Sequence, residues 1–280
     1  MSQNEKIINY YRESLIDYKL VWRLSRNLGI HAGYYDQKNK THDKAVVNMN
    51  RIIARKAAIK SGEKVLDAGC GIGGTAIWIA KNVGAEVTGI NICKDQLDIA
   101  RGLVDKHGID NKIQFVEGDF VRMDFPDNTF DVVYGLESIC YAKDKGDFVR
   151  EAWRVLRNGG RLVVADGFIT KSDFDPSESR EMNKWLEGWA VPNLAGVNAF
   201  RDHLTDSGFC NVKFEDVRDN VMPSSLRMYR ASILCYPGAK FLELIGIRSR
   251  TQTENILSAY YQHRTLKNGL WTYGIFIAQK

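Results

Sequence analysis

The chain has 280 residues, 44% hydrophobic and 26% charged, a balance that fits a folded globular protein and excludes a disordered or fibrous one. Thirty-nine Lys and Arg against 34 Asp and Glu leave a formal charge of +5, spread along the chain rather than gathered in a basic tail, which argues against a nucleic-acid partner. No run of about 18 uninterrupted apolar residues occurs and the opening MSQNEKIINYYRESL is too polar for a secretory signal, so the expectation is a cytoplasmic protein without stable membrane insertion.

Ile8, Tyr11, Leu15, Tyr18 and Trp22 recur at spacings of three and four, which places an apolar stripe on one side of a first helix. An aromatic loop, GIHAGYYD, precedes a second helix through Val46, Met49, Ile53 and Ala57 that ends near Ser61 and Gly62. Residues 1–60 read as an N-terminal helical cap and 61–280 as the main domain. From Lys64 the rhythm changes: KVLDAGC, EVTGINI, KIQFVEGD, FDVVYGLE and GRLVVADGF read as strands, with helices through Trp78, Leu97 to Val104 and Phe148 to Leu156. Parallel strands need crossover helices that bury both sheet faces, so the fold class is α/β. Residues 170–195, polar but holding Trp185 and Trp189, read as a lid insertion. A helix, AFRDHLTDSG, and a strand, FCNVKFEDV, follow; a second insertion covers 220–268, and LWTYGIFIAQK closes the chain as a strand.

Cys70, Cys93, Cys140, Cys210 and Cys235 form no C-x-x-C pair, and His31, His42, His107, His203 and His263 show no metal-ligand spacing, so reduced thiols and no metal are expected. Gly69, Gly71 and Gly74 follow a strand and open a helix, where a tight turn lets the backbone approach a ligand. Alone, the pattern suits a dinucleotide. Its surroundings point elsewhere: Asp67 at the strand end would repel a pyrophosphate and suits a cation, and Asp119 sits at the tip of the third strand. Asn91 stands where a dinucleotide-binding protein offers an acid to the ribose.

In order and spacing, VLDAGCGIGG, VTGINICKDQL, FVEGDF, FDVVYGLESICYAKDK and RVLRNGGRLVVADG resemble the successive motifs of class I S-adenosylmethionine-dependent methyltransferases, from roughly Lys60 to Phe168. The resemblance implies a Rossmann-like sheet of seven strands with one antiparallel strand near the C-terminal edge, for which LWTYGIFIAQK is the candidate, covered by a helical cap. It implies S-adenosyl-L-methionine as cofactor, with its methionine part against Gly69 and Gly71 near Asp67. The same resemblance puts the ribose at Asn91 with Gln96 beside it and the adenine at Asp119 with Phe120 alongside, and Ile92 and Leu136 are further expected to bind the cofactor. HAGYYD and GLESICYAKD resemble the subgroup of sterol, prenyl-quinol, prenyl-diphosphate and phosphoethanolamine methyltransferases. That likeness implies that Tyr34 closes over the cofactor and that Tyr34 and Glu137 are catalytic.

Methyl transfer from a sulfonium is an in-line displacement, in which alignment alone can remove about 7 to 11 kcal/mol of barrier. Methylating an alkene carbon leaves a carbocation, which calls for aromatic faces, an opposing carboxylate and a base. Glu137 would oppose the cation, and Tyr34 or a bound anion would take the proton. Trp185, Trp189, Tyr229 and Tyr236 would wall the pocket, with Cys140 and Tyr141 as packing neighbours. Arg227, Arg230, Lys240, Arg248, Arg250 and Arg264 would be available to a diphosphate head group. The expected function is C-methylation of a small isoprenoid-type acceptor; the alternative is N-methylation of an amine or phosphobase. The oligomeric state is left open.

Overall fold

A computed structural model gives the structure of residues 1–21, 28–108, 110–171 and 173–280, so Trp22 lies outside the described residues. Among these, seven strands form one sheet: β1 (Lys64–Ala68), β2 (Glu86–Asn91), β3 (Ile113–Glu117), β4 (Phe130–Leu136), β5 (Leu156–Ile169), β6 (Cys210–Asp216) and β7 (Trp271–Gln279). Their spatial order is β3-β2-β1-β4-β5-β7-β6. The first five run parallel, and β7 is antiparallel to both β5 and β6, as expected of LWTYGIFIAQK. The chain leaves β1 in both directions, to β2 on one side and β4 on the other, which opens a crevice at the carboxyl ends of those strands.

Helices cover both faces, and so the central strands are apolar throughout rather than alternating: Val65, Leu66 and Ala68 of β1 and Val132 and Val133 of β4 are fully buried. One face packs under α2 (His42–Lys56), α3 (Gly74–Asn82) and α4 (Lys94–His107), through Met49, Ile53, Ile79 and Leu97. The other packs under α5 (Lys145–Val155) and α7 (Val197–Asp206), through Phe148, Val149, Phe200 and Leu204. Of the segment 1–60, then, α2 belongs to the sheet's own cover, while α1 (Gln3–Val21) lies over the carboxyl ends of the strands.

The two insertions supply the remaining helices. A capping box at Asp175 and Glu178 starts α6 (Pro176–Gly188), and a second one at Ser249 and Gln252 starts α9 (Arg250–Lys267). Between β6 and α9 runs α8 (Arg218–Leu244), with Pro223 and Pro237 inside it. The α9 helix packs against α8, α6 and α1, building a helical roof above the sheet's carboxyl edge. On α1 the deepest side chains are Ile7, Tyr10 and Ser14; Tyr11 and Tyr18 stay half-buried because they face a cavity rather than packed protein.

Phe276 of β7 is 1% exposed and packs against Phe168, Phe200 and Phe214 with ring centroids 5.0, 5.1 and 4.7 Å away. Phe276→Ala removes the hub of this aromatic group and is expected to cost about 3 to 5 kcal/mol of stability. Denaturant unfolding measures it, and a loss under about 1 kcal/mol would contradict the packing described.

Candidate active site

At the end of β1 the chain turns through Gly69 and Gly71, with φ of 85° and 54°, left-handed angles that glycine adopts without strain. A Cβ at Gly69 would run into Ser138. The turn borders a crevice of about 60 Å³ lined by Asp67, Gly69, Gly71, Gln96, Leu136 and Glu137 among others. Asp67 is only 3% exposed, and burial pushes its carboxyl up to about 7, with Tyr134 partly offsetting the shift. Among the described residues no cation forms an ion pair with it. An enclosed acid without a counter-charge suits a cationic ligand.

Glu137, just past β4, is the hinge between two spaces. It takes φ of 52°, a conformation that strains a non-glycine residue and persists only where its surroundings enforce it. Here they do: the Glu137 amide donates to the Ala165 carbonyl at 2.9 Å, and Ser138 Oγ donates to the Ala68 carbonyl at 2.5 Å. Its Oε1 accepts from the Ala32 amide and from the Tyr273 hydroxyl, both at 2.8 Å. Burial pushes the carboxyl up to about 7, against those two bonds, with nearby Asp166 adding to the rise.

Beyond Glu137 lies a cavity of about 570 Å³, within the range that encloses organic ligands. Tyr11, Ile30 and Glu137 line both this cavity and the glycine-loop crevice. From the sheet side come Glu137, Asp166, Trp271 and Tyr273; the roof contributes Trp185, Trp189, Met228 and Ile256 among others. Asp166 accepts from the Cys140 amide at 2.9 Å and the Gly167 amide at 2.8 Å, and burial raises its carboxyl. Trp185 lies over Trp271 with centroids 4.5 Å apart, and the Tyr11 hydroxyl donates to Tyr141 at 2.9 Å.

Several of the expected residues stand outside both spaces. Tyr34 lines neither space: its amide donates to the Ala45 carbonyl, its carbonyl accepts from Asn48, and its side chain lies within reach of the charges of Arg55 and Glu215. What the loop brings to Glu137 is the Ala32 amide. Asn91 also lines neither space; its Nδ2 donates to Gln96 Oε1 at 2.8 Å and to the Gly71 carbonyl at 3.3 Å, its Oδ1 accepts from the Cys93 amide at 3.2 Å, and it thereby buttresses Gln96 and Gly71, which do line the crevice. Ile92 and Phe120 flank the crevice without lining it, Phe120 packing on Phe148. Asp119 accepts from Val121 and, at 2.8 Å, from the Asn4 side chain of α1.

Trp185, Trp189, Cys140 and Tyr141 do line the large cavity, whereas Tyr229 stacks on Tyr260 and His263, and neither it nor Tyr236 reaches the lining. Of the six basic residues offered for a diphosphate, only Arg248 lines the cavity. Lys240, Arg248, Arg250 and Arg264 are held by Glu243, Asp17, Glu254 and Glu181. Asp166, Tyr18 and Tyr273 were not singled out from sequence as site residues. An acid closing the VVAD strand was the available signal for Asp166.

A family profile described as methyltransferase domain matches residues 66–164. The chain is 32% identical to 27-O-demethylrifamycin SV methyltransferase of Amycolatopsis mediterranei over 199 residues, 70% of this chain and 71% of that protein. It is 37% identical over 187 residues to a sterol 24-C-methyltransferase of Gibberella zeae, covering 66% of this chain and 49% of the relative. The chain thus spans about half the length of the sterol methyltransferase it matches. Among solved structures, the cyclopropane synthase MmaA2 of Mycobacterium tuberculosis superposes with a TM-score of 0.84 at 14% identity, covering 99% of this chain and 98% of that one, a likeness of fold.

Two outcomes follow from these geometries. Glu137 holds its proton up to about 7 when folded but releases it near 4.5 when unfolded, so stability falls as pH rises through that window. Glu137→Gln should therefore be more stable than wild type at pH 8 by up to about 3 kcal/mol, the gain vanishing toward pH 4.5. Denaturant melts at several pH values test this, and a difference independent of pH would refute it. Asp119→Ala should weaken affinity for an adenine nucleoside ligand about ten-fold to a hundred-fold, read by calorimetry with S-adenosylhomocysteine; unchanged affinity would remove Asp119 from the site.

Proposed function

Because this chain belongs to the S-adenosylmethionine-dependent methyltransferases, we propose that it moves the methyl group of that sulfonium to a carbon of a large, uncharged isoprenoid-type acceptor through a carbocation. The observation that carries the reading is Glu137, a strained and enclosed carboxylate on the wall shared by the crevice and the large cavity.

Asp67, Gly69, Gly71, Gln96 and Leu136 fit a cationic nucleoside: the glycines leave room beside Ser138, and the buried acid lacks a counter-charge among the described residues. When bound, the cofactor supplies an electrophilic methyl group on positively charged sulfur. Asp119 joins this set once its bond to Asn4 is exchanged. Ile30, Tyr11 and Glu137, lining both spaces, set the line along which donor and acceptor meet.

On the acceptor side, carboxylates in an enclosed apolar space act strongly on a developing positive charge, because little water screens them. Glu137 and Asp166 face such a charge from the sheet. The rings of Trp185, Trp189, Tyr11 and Tyr18 offer faces to it, each cation–π contact contributing about 0.5 to 2 kcal/mol. Both bonds to the Glu137 carboxylate go to Oε1, which leaves Oε2 for the departing proton.

Three features favour an uncharged apolar acceptor. Of the three acids in the wall, Glu137 and Asp166 form no ion pair among the described residues and oppose an anion, and the basic residues of the second insertion are largely paired with carboxylates. Leu234 and Leu242 line the cavity yet are 81% and 37% exposed, so its mouth opens among apolar side chains. Similarity to sterol 24-C-methyltransferases supports the same class.

Incubation with methyl-labelled cofactor and a panel of sterols, prenyl alcohols, prenyl diphosphates and phosphobases tests the reading. Label is expected on carbon of an uncharged isoprenoid; label on nitrogen of a phosphobase would overturn it. Glu137→Gln should lower kcat about 10²- to 10⁴-fold with cofactor affinity nearly unchanged. Since Glu137 must be ionised to accept a proton, wild-type kcat should rise with pH and level off above about 7. Turnover of the variant within two-fold of wild type would take Glu137 out of the chemistry.

A further inference from the structure

We infer that the second half of α8 and the turn after it form a docking surface for a lipid bilayer, on which the mouth of the large cavity opens. Apart from Met1, every exposed large apolar side chain among the described residues lies within 233–247, with Leu234, Leu244 and Ile247 exposed by 81, 76 and 72% and Phe241 by 61%. On α8 they follow the helical period. Ile233, Pro237, Phe241 and Leu244 recur every three or four residues along one side, while Ser232 and Ala239 are buried on the other. A surface bathed by water seldom gathers apolar side chains so densely unless something covers it.

The cavity says what the cover is. Leu234 and Leu242 belong to the exposed patch and to the cavity lining alike, and Cys235 and Gly238 between them line it too. The apolar surface thus runs from the outside of the helix into the cavity. A second copy of this chain seated on the patch would seal that opening, whereas a bilayer continues the apolar phase into it, so that a ligand passes from lipid to protein without crossing water. The inference builds on the reading of the cavity as the site of an apolar acceptor, although the docking itself needs no acceptor.

Charge agrees with this cover. Within 230–250, Arg230, Lys240, Arg248 and Arg250 stand against Glu243 alone. Arg230, Lys240 and Arg250 are exposed, and the pairs of Lys240 with Glu243 and of Arg250 with Glu254 lie at the surface, where ion pairs are weak and exchange readily for lipid phosphates. An apolar face edged by cations suits a segment lying in a membrane interface, its apolar side chains among the acyl chains and its basic ones at the head groups. The contact is peripheral, since among the described residues no helix is long and apolar enough to cross a membrane.

Sedimentation of the full chain with vesicles of phosphatidylcholine, with and without phosphatidylglycerol, tests the docking. Wild type should partition onto both, several-fold more strongly onto the anionic ones, and high salt should remove that excess. Phe241→Ser/Leu244→Ser/Ile247→Ser alters exposed side chains that do not line the cavity and should lower partitioning at least about ten-fold. If that variant does not fold, Leu244→Ser alone should lower it several-fold. Absence of wild-type partitioning, or a variant that partitions as wild type does, overturns the docking. So does a dimer in solution that the triple variant splits, which would assign the face to a second copy. Vesicle binding together with methyl label on a phosphobase would overturn the acceptor reading alone, and label on an isoprenoid without vesicle binding would overturn the docking alone.

Discussion

Three neighbouring strands, β1, β4 and β5, each end in a buried or enclosed acid: Asp67, Glu137 and Asp166. Removing a carboxylate from water penalises its charged form, and none of the three is relieved by an ion pair among the described residues. Parallel strands force the arrangement, since they deliver all their carboxyl ends to one edge and the crossover helices then wall that edge from solvent. The consequence is a field that rewards positive charge, tempered at Asp166 by the nearby cation of Lys145. A sulfonium donor is positive, and so would be the carbocation of the proposed reaction, so both fit a crevice and a cavity walled by such acids.

The surrounding structure maintains that field instead of quenching it. The helical roof carries arginines and lysines in number, yet Arg250 and Arg264 are tied to acids on the roof itself, and Arg248 is tied to Asp17 on α1. Were any of them free to swing into the cavity, it would neutralise Glu137 or Asp166. Glu137 is fixed more severely still, by a left-handed backbone angle that its amide bond to Ala165 and the Ser138 bond to Ala68 hold in place. Strain there trades stability for a fixed carboxylate position.

How much of this was legible in the sequence depended on whether the information was local. The strands β1 to β5 and the glycine turn announce themselves by apolar runs, crossover spacing and residue type, and the closing strand by its alternation with the sheet. A motif names a residue but not which atom of its loop faces the site: with Gly33 bonded to Ser224 and Tyr35 to Asn220, the Ala32 amide reaches Glu137 while Tyr34 lines neither space. The pairing of the basic residues is hidden for a similar reason. Asp17 is 231 positions from Arg248, and no periodicity reveals a partner at that distance. Asn91 was placed correctly at the strand tip, but whether its amide is spare or spent on Gln96 is a question of packing.

A single helix joins the two halves of the site. Along α1, Asn4 bonds Asp119, Arg12 pairs with Asp95 at the start of α4, Tyr11 lines both spaces, and Asp17 holds Arg248. Its first turn therefore sits beside Asp119 and its last at the roof of the large cavity. The Asn4 amide gives Asp119 the same kind of N–H bond that an adenine amine would give, so exchanging one for the other leaves the carboxylate satisfied and changes the hydrogen-bond energy little. Access at that end is thus limited by moving the helix rather than by breaking a strong bond. The Tyr11 and Asp17 contacts ensure that such a movement also disturbs the acceptor wall. One helix thus touches both spaces, and it does so through the spacing of four side chains along it.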